Sequence, residues 1–233
     1  METNEIKNLN LGHRNRVKEK FLKTNFEGWQ DYEILEFALF FVIPYKDTKP
    51  AAKKLIQKFG SLKEILNADY SELETSLKEI KGAGKHTLLF LYFLKHFAIK
   101  YSELKIKEKD YFSCQEDVCK FLKNLIGSSS KEKMCAVFLN SAGDILGHKI
   151  MSEGTVGKSA IYPNEIAKEA LLLNSRSVII SHNHPGGNCK PSKSDEVSTE
   201  LVKGALSLVD IVLLDHIIVS DLEYYSFKEK GLL

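Results

Sequence analysis

From Gly12 to about Lys100 the apolar residues recur at helical spacing. Val17, Phe21 and Leu22 form one set, Ile34, Leu35, Phe37, Ala38, Leu39 and Phe40 a second, and Ala51, Ala52, Leu55 and Ile56 a third. Breaks fall at Phe26-Glu27-Gly28, from Pro44 to Pro50, at Phe59-Gly60-Ser61 and at Lys81-Gly82-Ala83-Gly84. At these points glycine, proline or a capping serine ends one helix and permits the next. The pattern predicts a small all-α domain of short, angled helices over residues 1–100. A charged run, Ser102-Glu-Leu-Lys-Ile-Lys-Glu-Lys-Asp110, follows and has few groups able to build a core. It reads as a linker over 101–110, or as the solvated end of the preceding helix. Beyond it strand and helix signals alternate: a helix near 116–125, strands over 134–139 and 145–152 around a turn at 141–144, and a helix over 163–173. A buried strand at 177–180, a helix from near Ser192 and strands around 211–220 and 224–227 complete the series. Alternation of this kind predicts an α/β domain with a mixed sheet over residues 111–233.

Composition adds boundaries to this picture. At 233 residues and 43% hydrophobic content, the chain can bury a core in each of two small domains. Its first residues are polar and charged, and no stretch approaches the roughly 20 apolar residues of a bilayer span. The expected location is cytoplasmic. Cys114, Cys119, Cys135 and Cys189 contain no CxxC pair, so free thiols are expected rather than a disulfide framework. Residues 1–110 hold 20 basic against 16 acidic side chains (+4), and residues 111–233 hold 13 against 15 (−2). An asymmetry this mild does not by itself indicate a nucleic-acid partner.

The chemistry concentrates in Ser181-His182-Asn183-His184-Pro185-Gly186-Gly187, directly after the apolar strand. Histidines at i and i+2 at a strand end project to one side, so both imidazoles can reach one ion. The proline and glycines turn the chain and bring Asp195 of Pro191-Ser192-Lys193-Ser194-Asp195 within range as a hard third ligand. Two histidines, an aspartate and a water leave the open position that a catalytic zinc needs. Glu153, at the end of a predicted strand, is the candidate general base, and it could pass a proton from the attacking water to a leaving amine. Glu165, Glu169 and Glu196 lie in the same region and compete for that role. Ser192 could donate a hydrogen bond to the oxyanion formed on an attacked carbonyl. Together these parts describe a hydrolase.

Glu153, His182-x-His184-Pro185 and Ser192-x-x-Asp195 resemble the JAMM (MPN+) metalloprotease motif, and the wider sequence resembles the RadC (UPF0758) family. The resemblance runs the length of the chain: His13-Arg14 through Lys20, Asp31 through Glu36, Lys46 through Pro50, Phe59 through Leu62, the histidine loop, and Asp215-His216-Ile217-Ile218. It implies an MPN/JAB-like α/β domain behind a helix-hairpin-helix domain. It also implies one zinc ion held by His182, His184 and Asp195, with Glu153 and Ser192 as catalytic residues, and a peptide or protein substrate cut at an amide or isopeptide bond. The family carries an association with DNA repair. Gly186, Cys189 and Asn164 depart from the family's usual serine, proline and arginine, and none of the three is a ligand position.

Plainer readings compete at several positions. Ser192-x-x-Asp195 is also a helix capping box. His216, within an apolar run, reads equally as a hydrogen-bonded core histidine or as a partner of a ligand. His13, His86, His96 and His148 read as surface or packing residues. A nucleoside deaminase needs His-x-Glu and Pro-Cys-x-x-Cys, and neither is present. In the helical domain, Ile80-Lys81-Gly82-Ala83-Gly84-Lys85-His86 resembles the hairpin of a helix-hairpin-helix motif. Gly82 and Gly84 would let backbone amides approach a DNA phosphate, and Lys81 and Lys85 would add charge. This supports an alternative reading: a non-catalytic module that binds DNA or a repair or replication protein, with a structural or vestigial zinc site.

Overall fold

The computed structural model describes residues 2–80, 82–107, 109–154 and 162–233. The chain divides into two compact units, residues 1–97 and 98–233. The first unit is helical: α1 (Glu2–Thr24), α2 (Asp31–Leu39), α3 (Lys49–Phe59), α4 (Leu62–Asn67), α5 (Tyr70–Lys78) and the first half of α6 (Lys85–Ile106). The helices stop where the sequence demands. Gly60 ends α3 at φ +91°, and Ser61 caps α4 by accepting a hydrogen bond from the Glu64 amide. Gly82 takes φ +93° in the turn before α6, a conformation that costs a side-chain-bearing residue energy. Leu35, Leu39, Ala52, Leu55, Ile65, Leu73, Leu77 and Leu91 form this unit's core. A second cluster gathers Trp29, Phe37 and Phe40 with Phe21 and Phe26. The Arg14 guanidinium donates to the carbonyls of Phe40, Ile43 and Lys46, and His13 meets the buried Glu36 carboxylate at 2.7 Å. His13 is thus an anchor within the unit rather than plain surface.

The charged run read as a linker or a helix end is helical through Ile106, whose side chain is buried in the core of the second unit. That unit continues with α7 (Tyr111–Leu122), a π-helical turn (Lys123–Gly127), β1 (Glu132–Leu139), β2 (Ile145–Gly154), α8 (Pro163–Leu172), β3 (Ser177–Asn183), α9 (Lys193–Ser207), β4 (Val212–Val219) and β5 (Tyr224–Ser226). The sheet order is β2-β1-β3-β4-β5, with β3 and β4 parallel and the other pairs antiparallel. Both faces are covered, which is why β1 and β3 read as near-continuous apolar runs. Strand alternation sorts the two cores. Cys135, Val137, Leu139, Ile179, Ile217 and Val219 pack against α7 and the end of α6. Met134, Ala136, Phe138, Val178 and Ile180 pack against Ile166 and Ala170 of α8 and Val202 and Leu206 of α9. All four cysteines are free and buried.

A buried carboxylate ties β4 to its surroundings. Asp215 accepts hydrogen bonds from the Tyr111 hydroxyl at 2.9 Å, the Ser226 hydroxyl at 2.6 Å and the Lys228 amide at 3.0 Å. Tyr111→Phe is expected to lower the stability of the second unit by about 1.5–3 kcal/mol, the range for a hydrogen bond to a charged group. Urea unfolding followed by circular dichroism measures this, because the single tryptophan, Trp29, reports on the first unit.

Candidate metal centre

The site lies at the carboxyl end of β3. His182 and Asn183 are the last residues of the strand, and the His184 amide extends the pairing by donating to the Val219 carbonyl at 3.0 Å. Asn183 points away from its neighbouring histidines. Its side-chain amide donates to the carbonyls of Ser129 and Lys131, and its oxygen accepts from the Lys133 amide at 2.7 Å. The strand end is thereby locked to the start of β1. The chain then turns through Pro185 and Gly187, whose φ is +86° and whose amide donates to the His184 carbonyl.

This turn delivers the N-terminus of α9 to the histidines. Ser192 is the N-cap and Asp195 the N3 residue of a reciprocal capping box. Asp195 Oδ2 accepts from the Ser192 amide and hydroxyl, each at 2.7 Å. The aspartate is therefore held in place before any ion binds. The Ser192 hydroxyl has one proton, and it is donated to Asp195; serving an oxyanion requires exchanging that bond.

The three expected ligands converge. His182 Nε2 lies 3.0 Å from His184 Nε2 and 3.2 Å from Asp195 Oδ1, and His184 Nε2 lies 3.6 Å from Asp195 Oδ2. Bonds of about 2.0–2.1 Å around a tetrahedral zinc separate ligand atoms by about 3.3 Å, so the spacing fits one small ion. Among the described residues this group is the one that could hold a metal. His184 Nδ1 lies 2.7 Å from the Asn188 carbonyl, which can only accept, so Nδ1 carries hydrogen and the Nε2 lone pair of the neutral ring faces inward. Burial would raise the Asp195 carboxyl, yet its interactions with the His182 and His184 rings outweigh it and hold the group well below the ordinary range. Asp195 in turn raises His184 above its usual value. His182 is almost fully buried, whereas His184 and Asp195 are 23% and 13% exposed, which leaves one side of the cluster open to solvent.

The remaining site residues stand apart. Glu153, at the end of β2, is paired in register with Lys133 of β1, and Met134, one residue on, is paired with His182. Glu153 thus shares the sheet end with the histidines, two strand spacings or about 10 Å from β3 along the sheet. Its carboxylate sits 3.4 Å from Lys131 Nζ and 3.5 Å from Lys133 Nζ, and Lys133 foremost keeps its pKa low. Of the competing glutamates, Glu165 pairs with Lys168 and Glu169 with Lys149, and Glu196 is exposed in the first turn of α9. The Cys189 thiol is buried with Ile218 and Phe227, 3.4 Å from the Glu223 carbonyl, and burial raises its pKa. It is not part of the convergent group. Lys131, Lys133 and Asn188 carried no signal in the sequence, because their roles depend on strand register and on a backbone carbonyl. Lys81 lies outside the described residues, and Gly82, Gly84 and Lys85 are exposed at the turn into α6.

Comparison with known proteins agrees with this geometry. Residues 112–232 match the RadC-like JAB domain. A UPF0758 protein of Fusobacterium nucleatum subsp. nucleatum is 39% identical over 232 residues, covering 96% of this chain and 98% of its own. A mixed sheet sandwiched by helices, a histidine pair at the end of its third strand and similarity along nearly the whole chain lead to one assignment: the protein belongs to the RadC (UPF0758) family.

Proposed function

We propose that the second unit is a zinc-dependent hydrolase of the JAMM metallopeptidase type, acting on an amide or isopeptide bond. The observation that carries this reading is the convergence of two imidazole nitrogens and a carboxylate at tetrahedral spacing, with one side open to solvent. His182, His184 and Asp195 would hold the ion. Zinc bound there would supply Lewis-acid activation of water and polarisation of the scissile carbonyl. Glu153, kept ionised by Lys131 and Lys133, accepts the proton of the attacking water and delivers it to the leaving amine. The same lysines lower its basicity, so proton transfer is favoured by movement of the carboxylate away from them towards the ligands. Ser192 donates to the developing oxyanion once its proton is released from Asp195.

Chelator-stripped protein should take up one equivalent of zinc by calorimetric titration. His182→Ala, His184→Ala and Asp195→Ala should abolish uptake, and Glu153→Gln should retain it. Against a panel of fluorogenic peptides and isopeptides, Glu153→Gln should reduce turnover by about 10²–10⁴-fold. Uptake that survives all three ligand substitutions would contradict the reading.

Proton competition gives a second prediction. The raised pKa of His184 means that its pairing with Asp195 stabilises the metal-free fold below about pH 6.5, an increment lost as pH rises through the folded value. The ion binds the neutral ring, so its affinity runs the opposite way. The zinc-induced rise in melting temperature should therefore grow between about pH 5.5 and 8. A rise that shrinks over that range would contradict the assignment of His184.

A second reading concerns the first unit and rests on the exposed turn of Gly82, Gly84 and Lys85 at the start of α6. Free amides at a helix N-terminus beside a lysine suit a DNA phosphate. Binding to duplex DNA of arbitrary sequence, weakened by salt and by Lys85→Glu, would support it; binding unaffected by either would not.

A further inference from the structure

Behind His182 lies a chain of hydrogen bonds that runs away from the open side of the site. His182 Nδ1 is 2.9 Å from His216 Nε2. His216 Nδ1 is 2.7 Å from Thr199 Oγ1, and Thr199 Oγ1 is 2.6 Å from the backbone carbonyl of Asp195. The direction of every bond follows from its last acceptor. A carbonyl only accepts, so the single Thr199 proton points at Asp195. Thr199 Oγ1 must then accept from His216 Nδ1–H. A neutral imidazole carries one N–H, so His216 Nε2 presents a lone pair, and His182 must donate to it through Nδ1–H. What remains on His182 is the Nε2 lone pair, aimed at His184 and Asp195.

We propose that His216 and Thr199 are positioning residues that hold His182 in the one tautomer able to bind the metal. The inference rests on the metal reading above and adds to it the reason why His182 is available as a ligand. The surroundings suit that task. His216 is fully buried, and its ring stacks on Phe227 with centroids 4.7 Å apart and planes 20° from parallel. Thr199 is also buried and lies four residues after Asp195 on α9, on the same helix face. One turn of α9 therefore supplies a ligand through the Asp195 side chain and the end of the chain through the Asp195 carbonyl. With His184 fixed the same way by the Asn188 carbonyl, the two rings when neutral turn their Nε2 lone pairs to each other at 3.0 Å, an arrangement that a cation between them relieves.

The test uses full-length protein with two readouts. The first is zinc affinity, measured by competition with a chromogenic chelator. Thr199→Val keeps the shape but removes the acceptor of His216 Nδ1–H, which frees His216 to place its proton on Nε2 and force a proton onto His182 Nε2. Thr199→Val and His216→Leu should each weaken zinc binding by about 10–100-fold. His216→Gln, whose amide can accept from His182 and donate to Thr199, should stay near the native value. The second is the long-range ¹H–¹⁵N spectrum of histidine-labelled, zinc-free native protein, which should show His182 and His216 protonated on Nδ1. Native zinc affinity in both Thr199→Val and His216→Leu, or a His182 protonated on Nε2, would overturn the proposal while leaving the metal site intact. A native protein that takes up no zinc would overturn the metal reading itself and the role given to the chain with it.

Discussion

Three electron-pair donors, one of them a carboxylate, are held within 3.6 Å of one another. Such a group is costly unless something positive sits among it, and the architecture of the second unit works to keep it assembled. β3 brings the histidines because it is paired on both sides, with β1 and β4, and so cannot shift register. The capping box of α9 fixes Asp195 from its own helix. Asn183, between the histidines, turns its amide to the other side and clamps the loop that leads into β1. The carboxylate of Asp215 then anchors β4 one residue before His216. The cluster is braced from three sides and open on the fourth, the form that the proposed substrate-binding ion would require.

Much of this was legible in the chain. The switch from helical spacing to alternating strands separated the two units, and the glycine and proline breaks placed the helix ends within a few residues. The convergence of the histidine loop with Asp195 could be read because the candidate ligands lie within fourteen residues of one another and turn residues bring them together. The boundary between the units was less legible. Residues 101–106 belong to a charged run, yet Ile99 and Ile106 of the same helix pack into the second core, a contact that hydrophobic content alone does not reveal.

What sequence could not supply was anything set by strand register. Lys131 and Lys133 reach Glu153 only because β1 and β2 pair antiparallel with Lys133 opposite Glu153. His216 reaches His182 only because β4 lies parallel to β3 and aligns His216 with Ile180, one step down the same face. Thr199 is a different case. Its spacing of four from Asp195 put both on one helix face, and that signal was present but lacked a partner to give it meaning. The capping box and the ligand set were weighed in the sequence as rivals for Ser192-x-x-Asp195. In the structure the cap is formed and the same carboxylate faces the histidines, so the cap orients the candidate ligand.

The central claim is a three-ligand zinc site of two imidazoles and a carboxylate, open at its fourth position, with the nearby Cys189 thiol turned into the core. X-ray absorption at the zinc edge of the metal-loaded protein tests it most directly. The account predicts a shell of nitrogen and oxygen neighbours at about 2.0–2.1 Å with imidazole scattering from two rings and no sulfur. A sulfur neighbour at about 2.3 Å would contradict it, because Cys189 would then close the position that a substrate must use.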